Sequence, residues 1–358
     1  MNKLMKMLVA ASTAVFLPLM ASTAQAADWP AKNITLVVPY AAGGSTDILS
    51  RRVADLLGTE LGVTVIVENR PGAGTTVATA QLARVSKRDA DYRVLMASPG
   101  HTVGASLYPL SYDPVKDFRF IQNVIDIPNV LVVPAKSKFQ TFQEFVQAAK
   151  TEQLSFSSPG IGSSIHMSGE LFKAKIGAQN MTHVPFRGSG EALPALLAGD
   201  VDFSFENLPT VYPMIKSGQL RVLAVTTSEP SPFLPDAPTV QSVGAEQGLS
   251  DFATSAWFGL ISSESMSDEA YGKLQAAVGS VMQSQAFKDF LPQLGAVAGK
   301  ESGDAFKAMV ERDIKQWADL VEAAGLGDVA GARTATSAQV IVEGHGRIAE
   351  PVVADASG

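Results

Sequence analysis

The chain has 358 residues, 46% of them hydrophobic, and its 28 Lys and Arg against 35 Asp and Glu give a formal charge of −7. An acidic chain lacks the electrostatic footprint of a nucleic-acid binder, so no nucleic-acid partner is expected and an anionic ligand would have to be gripped by local donors. The absence of cysteine excludes disulfides and a thiol-linked lipid anchor.

The first 26 residues carry Lys3 and Lys6, an apolar run from Leu8 to Met20 broken by Pro18, and the A-x-A site Ala24-Gln25-Ala26. This is the pattern of a secretory signal peptide. We expect cleavage near Ala26, release into the periplasm, and a charge that moves from −7 to −9 as the two lysines leave. No later segment reaches the roughly 18 uninterrupted apolar residues of a membrane helix, so no membrane insertion is expected. The remaining chain, about 330 residues, exceeds the size at which single cores stop growing, and two lobes are the expectation.

From residue 33 the sequence alternates between strand and helix signals. Ile34 to Pro39 reads as a buried strand, and the helix after Gly44 carries an apolar stripe at Ile48, Leu49, Val53, Leu56 and Leu57. Ser45 or Thr46 suits its cap and Asp47 its first turn. Val63 to Glu68 alternates as a strand, Thr76 to Arg84 reads as a helix, and Arg93 to Ser98 as a strand. This order implies a parallel sheet with helices on both faces. Pro99-Gly100-His101 reads as a loop.

The grammar restarts after Ile127. Strands are expected at Val130 to Val133, Leu154 to Ser157, Thr182 to Phe186, Val201 to Phe205 and Arg221 to Val225, with helices at Phe142 to Lys150, Ser164 to Lys175 and Glu191 to Leu197. Pro230, Pro232, Pro235 and Pro238 mark an extended connection. Trp257 to Ile261 is a strand, and two helices, Asp268 to Gln283 and Gly303 to Ala323, close the domain. In the latter, Phe306, Met309, Val310, Trp317, Leu320 and Val321 share one face suited to packing. Beyond Leu326 the composition turns to Gly, Ala, Ser, Thr and Val without aromatics, and 327–358 is expected to be a poorly ordered tail.

Two segments repeat one logic: strand, glycine turn, helix. Gly43-Gly44-Ser45-Thr46-Asp47 follows the first strand, and Pro159-Gly160-Ile161-Gly162-Ser163-Ser164 follows Leu154 to Ser157. Each directs backbone N–H groups and a positive helix end at one spot, which suits a small anion. Glycine at a helix entry can also serve backbone geometry alone. Ile165 stands where a dinucleotide fingerprint needs its third glycine, and no Gly-Lys-Ser/Thr ending marks a P-loop. No nucleophile elbow accompanies Ser163, Ser164 and His166. His166 and Glu170 lie four apart on a helix, a spacing open to metal ligation, but His101 and His183 are distant in sequence, and neither a metal nor any other cofactor is expected. Arg187, in Val184-Pro185-Phe186-Arg187-Gly188, could face the cleft or pair at the surface. Glu206 and Asn207 end a strand where open α/β sheets place ligand groups.

The segments VVPYAAGGSTD, VIVENRPGAG, LYPLSYDPVKDF, SSPGIGSSIHMSGELF, HVPFRGSGEALPALLAGDVDFSF, LRVLAVTTSEPSPFLPDAPTV and SAWFGLISS, in this order from about Trp29 to Leu326, resemble the Bug-type receptors of tripartite tricarboxylate transporters. The resemblance implies a type II-like, two-lobed periplasmic binding protein of α/β class, each lobe a mainly parallel sheet flanked by helices. The lobes would comprise 27–126 with 249–326, and 127–248. It implies no enzyme, but a monomeric receptor that captures a small carboxylate in the cleft and hands it to membrane transporter subunits. A sensory receptor serving a signalling partner, or a periplasmic enzyme acting on a carboxylic acid, are the alternatives. The loop from Tyr40 to Asp47, the loop from Ser158 to His166 and the turn around Arg187 would hold the ligand. With the strand-end positions, the expected ligand-binding residues are Tyr40, Gly43, Gly44, Ser45, Thr46, Asp47, Ser98, Gly160, Gly162, Ser163, Ser164, His166, Phe186, Arg187, Gly188 and Glu206. The chain departs from the family pattern at Arg88 to Tyr92 and at Pro99-Gly100-His101, a segment expected to border the cleft and to let His101 alter selectivity.

Overall fold

The computed structural model describes residues 28–323 and 325–327. The expected signal peptide and the tail from 328 onward lie outside them.

Strand β1 (Ile34–Val38) is apolar apart from Thr35 and buried on both faces, and it runs through Pro39 to Gly43 into helix α1 (Ser45–Leu61). Leu49, Val53 and Leu57 of α1 lie on the sheet at helical spacing, each buried side chain contributing about 1.5–3 kcal/mol. Strand β2 (Val65–Asn69), helices α2 (Thr76–Ala83) and α3 (Lys87–Ala90), and strand β3 (Arg93–Ala97) complete the unit, with β2 and β3 both parallel to β1.

Next comes helix α4 (Pro99–Leu107), where a loop is expected from the sequence. Ser98 caps it by accepting the Gly100 N–H, and Pro99 occupies its first turn, where a missing N–H costs nothing. Strand β4 (Phe118–Pro134) is 17 residues long and crosses between the lobes, although only Val130 to Val133 is legible as strand in the sequence. Its first half is interrupted by Gln122, Asn123, Asp126 and Pro128 and shifts register twice against its partner.

The second lobe holds α5 (Phe142–Thr151), β5 (Leu154–Ser158), α6 (Ser164–Ile176), β6 (Met181–Pro185), α7 (Ser189–Ala198), β7 (Ser204–Asn207), α8 (Leu208–Lys216), β8 (Leu220–Val225) and α9 (Val240–Gly244). The chain returns along β9 (Ser255–Ser263), followed by α10 (Asp268–Gln283), α11 (Gln285–Leu294), β10 (Val297–Ala298) and α12 (Gly303–Ala323).

The sheet order β10-β4-β9-β3-β1-β2 continues past the crossing through β7 and β8, both paired with β4. Parallel pairing holds for β2-β1-β3 and for β5-β6, whereas β9 pairs antiparallel with both β3 and β4. The sheets are therefore mixed: one crossing strand enters the second lobe and the other returns, so they must run in opposite senses.

Each lobe has its own core. Leu36, Leu49, Met96, Phe258 and Phe287 belong to the first, and Phe145, Phe156, Phe172, Phe203 and Phe205 to the second. Leu249 and Phe252, expected in the first lobe, pack into the second core. Helix α12 spans both: Phe306 and Val310 pack with Phe120 and Trp257, while Trp317 and Val321 join Val103 and Leu107 of one lobe to Met167 of the other.

Candidate functional site

Five helix N-termini meet at one cavity between the lobes. From the first lobe come Gly44 to Asp47 at the start of α1 and Ser98-Pro99 at the start of α4; from the second come Ser163-Ser164 of α6, Ser189 of α7 and Asn207 of α8. Tyr40, Pro159 and Phe258 complete the wall, and it includes no Lys, Arg or His. The first N–H groups of a helix have no intrahelical acceptor, and no side chain caps α1 at Gly44. The cavity is thus an electropositive hollow made from backbone dipoles and hydroxyls. Its volume is only about 20 Å³, so the facing walls stand close together.

Asp47 builds this hollow from behind. Its carboxylate accepts the Gly43 N–H at 3.0 Å, two bonds from Arg51 at 3.0 and 2.9 Å, and Asn69 Nδ2 at 2.9 Å. Burial opposes its charge, but the donors from Arg51, Gly43 and Asn69 outweigh it and hold the carboxyl below its ordinary range. With its oxygens so occupied, the Asp47 side chain shapes the loop, and its backbone is what remains for a ligand. Gly43 has φ +90°, a conformation side chains resist, and this aims its N–H back at Asp47.

The hydroxyls are similarly ordered. Tyr40 Oη and Ser98 Oγ lie 3.1 Å apart, and Ser98 Oγ also accepts the Gly100 N–H. Burial pushes Tyr40 up to about 12, so it keeps its proton, and the pair retains one O–H beyond its mutual bond. Across the cavity, Ser163 Oγ donates to Gly160 O at 2.8 Å and accepts the His166 N–H, capping α6. Ser164 Oγ donates to Asn207 Oδ1 at 3.3 Å.

The lobes touch through backbone. Ala41 N–H donates to Arg187 O at 2.9 Å, and Ser45 Oγ meets Thr210 Oγ1 of α8. Gly190 lies so close to the first lobe that a Cβ there would stand 2.2 Å from Ala42 O and 3.1 Å from Gly43 Cα. Gly188 is equally confined, its own Cβ position lying 2.9 Å from Ala41 O.

Tyr40, Gly44, Ser45, Thr46, Asp47, Ser98, Ser163 and Ser164 line the cavity as the sequence suggests, and eight expected residues do not. Gly43 and Gly188 form the interlobe contact just described. Gly160, Phe186 and Arg187 border a separate outer recess with Pro185 and Tyr108. The Arg187 guanidinium points away to the surface and pairs with Glu191, in the first turn of α7, at 2.8 Å. Gly162 packs near Val103 and Leu107 and donates its N–H to His166 Nδ1 at 3.1 Å. Glu206 lies behind the wall, accepting from Ser189 Oγ at 2.8 Å and from the Asn207 N–H at 2.9 Å. His101 turns into the core among Tyr112, Phe118 and Phe120, with Nε2 2.7 Å from Pro114 O. Burial pushes it down to about 4, so it is neutral and takes no part in the cleft wall. Its expected role in selectivity fails because α4 replaces the loop.

Of the other wall residues, Pro99, Pro159 and Asn207 fall in segments that the sequence places at the cleft without being among the expected ligand-binding residues, and Ser189 and Phe258 are absent from that reading. Ser189 could have been found from Gly188, since a glycine and serine before an apolar run mark a helix start.

His166, Glu170 and His183 bring ligand-type atoms within 4.8 Å of one another, the one such group among the described residues. Parallel pairing of β6 with β5 carries His183 there despite its distance in sequence. Both imidazoles serve the second glycine loop: His166 holds Gly162, and His183 Nε2 lies 2.6 Å from Ser158 Oγ, which accepts the Gly160 N–H at 3.1 Å. His166 therefore supports the loop and does not line the cavity.

A two-lobed α/β architecture with paired crossing strands and a closed polar cleft is that of the periplasmic binding proteins. Residues 49–326 match the model of the tripartite tricarboxylate transporter family receptor, and the chain belongs to that family. It is 32% identical to protein BugT of Bordetella pertussis over 310 residues, covering 85% of this chain and 93% of BugT. Among solved structures it is similar to the periplasmic binding protein BugD (TM-score 0.78, 30% identity, 83% of this chain and 99% of the other). An R. palustris protein solved with adipate gives a TM-score of 0.77 at 30% identity, covering 83% and 99%. MatC from Rhodopseudomonas palustris with bound malate gives 0.76 at 28% identity, covering 82% and 100%. Among the described residues no helix is long and apolar enough to cross a membrane.

Proposed function

We propose that this protein is a periplasmic receptor that closes on a small carboxylate and presents the closed form to the membrane subunits of a tripartite transporter. It acts as a monomer, without cofactor or catalytic turnover, after removal of residues 1–26. The lobes move as units, 28–126 with about 255–326 and 127 to about 254, the later boundary following Leu249 and Phe252. Tyr40, Gly44 to Asp47, Ser98, Ser163, Ser164, Ser189 and Asn207 hold the ligand.

The observation that carries this reading is the convergence of five helix N-termini on one cavity without a cationic side chain. A carboxylate gains about 0.3–1 kcal/mol at a helix end, and up to ~2 when partly buried. Charge-assisted hydrogen bonds add roughly 1.5–3 kcal/mol each. Four or five such contacts, less an association cost of at least ~4 kcal/mol, reach the roughly −8 kcal/mol of micromolar binding. The donors belong to both lobes, so only the closed form supplies them together, and ligand shifts the hinge equilibrium by that difference. The malate and adipate bound by the similar proteins support a dicarboxylate.

Thermal unfolding and titration calorimetry with succinate, malate, adipate and citrate, against glucose, test the reading. At least one acid should raise Tm by several degrees and bind near the micromolar range, and glucose should do neither. Absence of both signals across the acids overturns the proposal.

A further inference from the structure

Ser189, at the first turn of α7, is 4% exposed and lines the cavity, and its Oγ donates to Glu206 Oε1 at 2.8 Å. A hydroxyl has a single proton to give, so this bond leaves Ser189 only lone pairs for whatever occupies the cavity. Glu206 is 1% exposed, and the same oxygen accepts the Asn207 N–H at 2.9 Å, so the carboxyl is clamped in place behind the wall. Ser163 and Ser164 spend their protons in the same inward way, on Gly160 O and Asn207 Oδ1. Among the hydroxyls the opposite wall has the reverse sense, since the Tyr40–Ser98 pair retains one O–H to donate, and beside it stand the N–H groups of the uncapped α1 start. A carboxylate oxygen suits that wall, and against Ser189 it would meet lone pairs with a buried acid behind them.

We propose that Ser189, oriented by Glu206, recognises a hydrogen-bond donor carried by the ligand, so that the protein selects hydroxy- or amino-substituted carboxylates over their unsubstituted counterparts. The proposal rests on the carboxylate-receptor reading and narrows it to one side chain. Glu206 is therefore a positioning residue, and Ser189 a specificity-determining one. A buried acceptor left without a donor is what penalises the unsubstituted acid.

Calorimetry at pH 8 with succinate, L-malate and L-aspartate isolates the effect, since the three share a four-carbon dicarboxylate skeleton and differ in one substituent. The wild-type protein should bind malate or aspartate at least tenfold more tightly than succinate. Ser189→Ala should bring that ratio to within about threefold, chiefly by weakening the binding of malate or aspartate. Equal or tighter binding of succinate by the wild type overturns the inference and leaves the receptor reading standing, as does a preference that survives in S189A. If no four-carbon acid binds, the same comparison is made with adipate and 2-hydroxyadipate, and with citrate and tricarballylate, under the same criteria. Failure of every acid overturns the receptor reading itself, and the inference with it.

Discussion

Glu206 carries its proton further up the pH scale than any exposed carboxyl would: burial pushes it to about 7, against the pull of the Asn207 N–H and Ser189. Below pH 4.5 the folded and unfolded chains both hold that proton. Between 4.5 and about 7 the folded chain holds it and the unfolded chain does not, so stability falls as pH rises, by roughly 3 kcal/mol in all, and then levels off. Glu206→Gln removes the titration while keeping an acceptor oxygen. Its Tm should equal that of the wild type near pH 4.5 and exceed it by several degrees at pH 8, as thermal unfolding in matched buffers would show. Coincident Tm values at pH 8 would mean that Glu206 ionises freely. How a residue reads in sequence depends on where its partner lies. Ser45 and Thr46 are legible as wall residues because a glycine turn between a strand and a helix is a local signal, although the cap expected of them is not made: Gly44 holds that position and no side chain caps it. Arg187 and His101 mislead because their partners, Glu191 in the first turn of α7 and the aromatic core around Phe118, compete with the cleft and win on proximity and burial.

At the scale of elements, the two glycine loops are unequal. The first lines the cavity through Gly44 to Asp47, whereas the second lines it only through Pro159, Ser163 and Ser164, with its glycines turned outward or inward. A close approach between the lobes sets Gly190 of α7 against Ala42 and Gly43 of the first loop. Because Gly190 sits in a helix, Ala there favours the fold of its own lobe by up to about 1 kcal/mol. A methyl at 2.2 Å from Ala42 O nonetheless forbids the closed contact. Gly190→Ala should weaken carboxylate binding by tenfold or more, measured by calorimetry, with the ligand-free Tm unchanged or slightly raised. Undiminished affinity would show that binding does not need this contact. Most helices and strands are legible from periodicity. Among those that are not, α8 is hidden by Pro209 and Pro213, and α4 by Pro99 and Gly100, residues that read as helix breakers. The first half of β4 is hidden because polar residues sit where the strand crosses between cores and alternation has no single buried face to follow.

For the whole molecule, α12 sets how independent the lobes are. Trp317, on the face legible as packing in the sequence, contacts an apolar cluster drawn from both lobes, with Met167 across from Val103 and Leu107. Trp317→Ala should cost about 3–5 kcal/mol and broaden or split the scanning-calorimetry transition as the lobes lose a shared contact. A single sharp transition at the wild-type Tm would assign α12 to one lobe alone. The meeting of five helix starts has a further consequence for discrimination. All five are poles of the same sign, some fixed to one lobe and some to the other, so bringing the walls together stores mutual repulsion. A bound anion acts as their shared counter-ion and cancels it; an uncharged molecule of the same shape could enter but would leave the poles opposed. On the closure proposed above, selection for charge is exercised on shutting, and a neutral visitor is turned away by the reluctance of the jaws to meet.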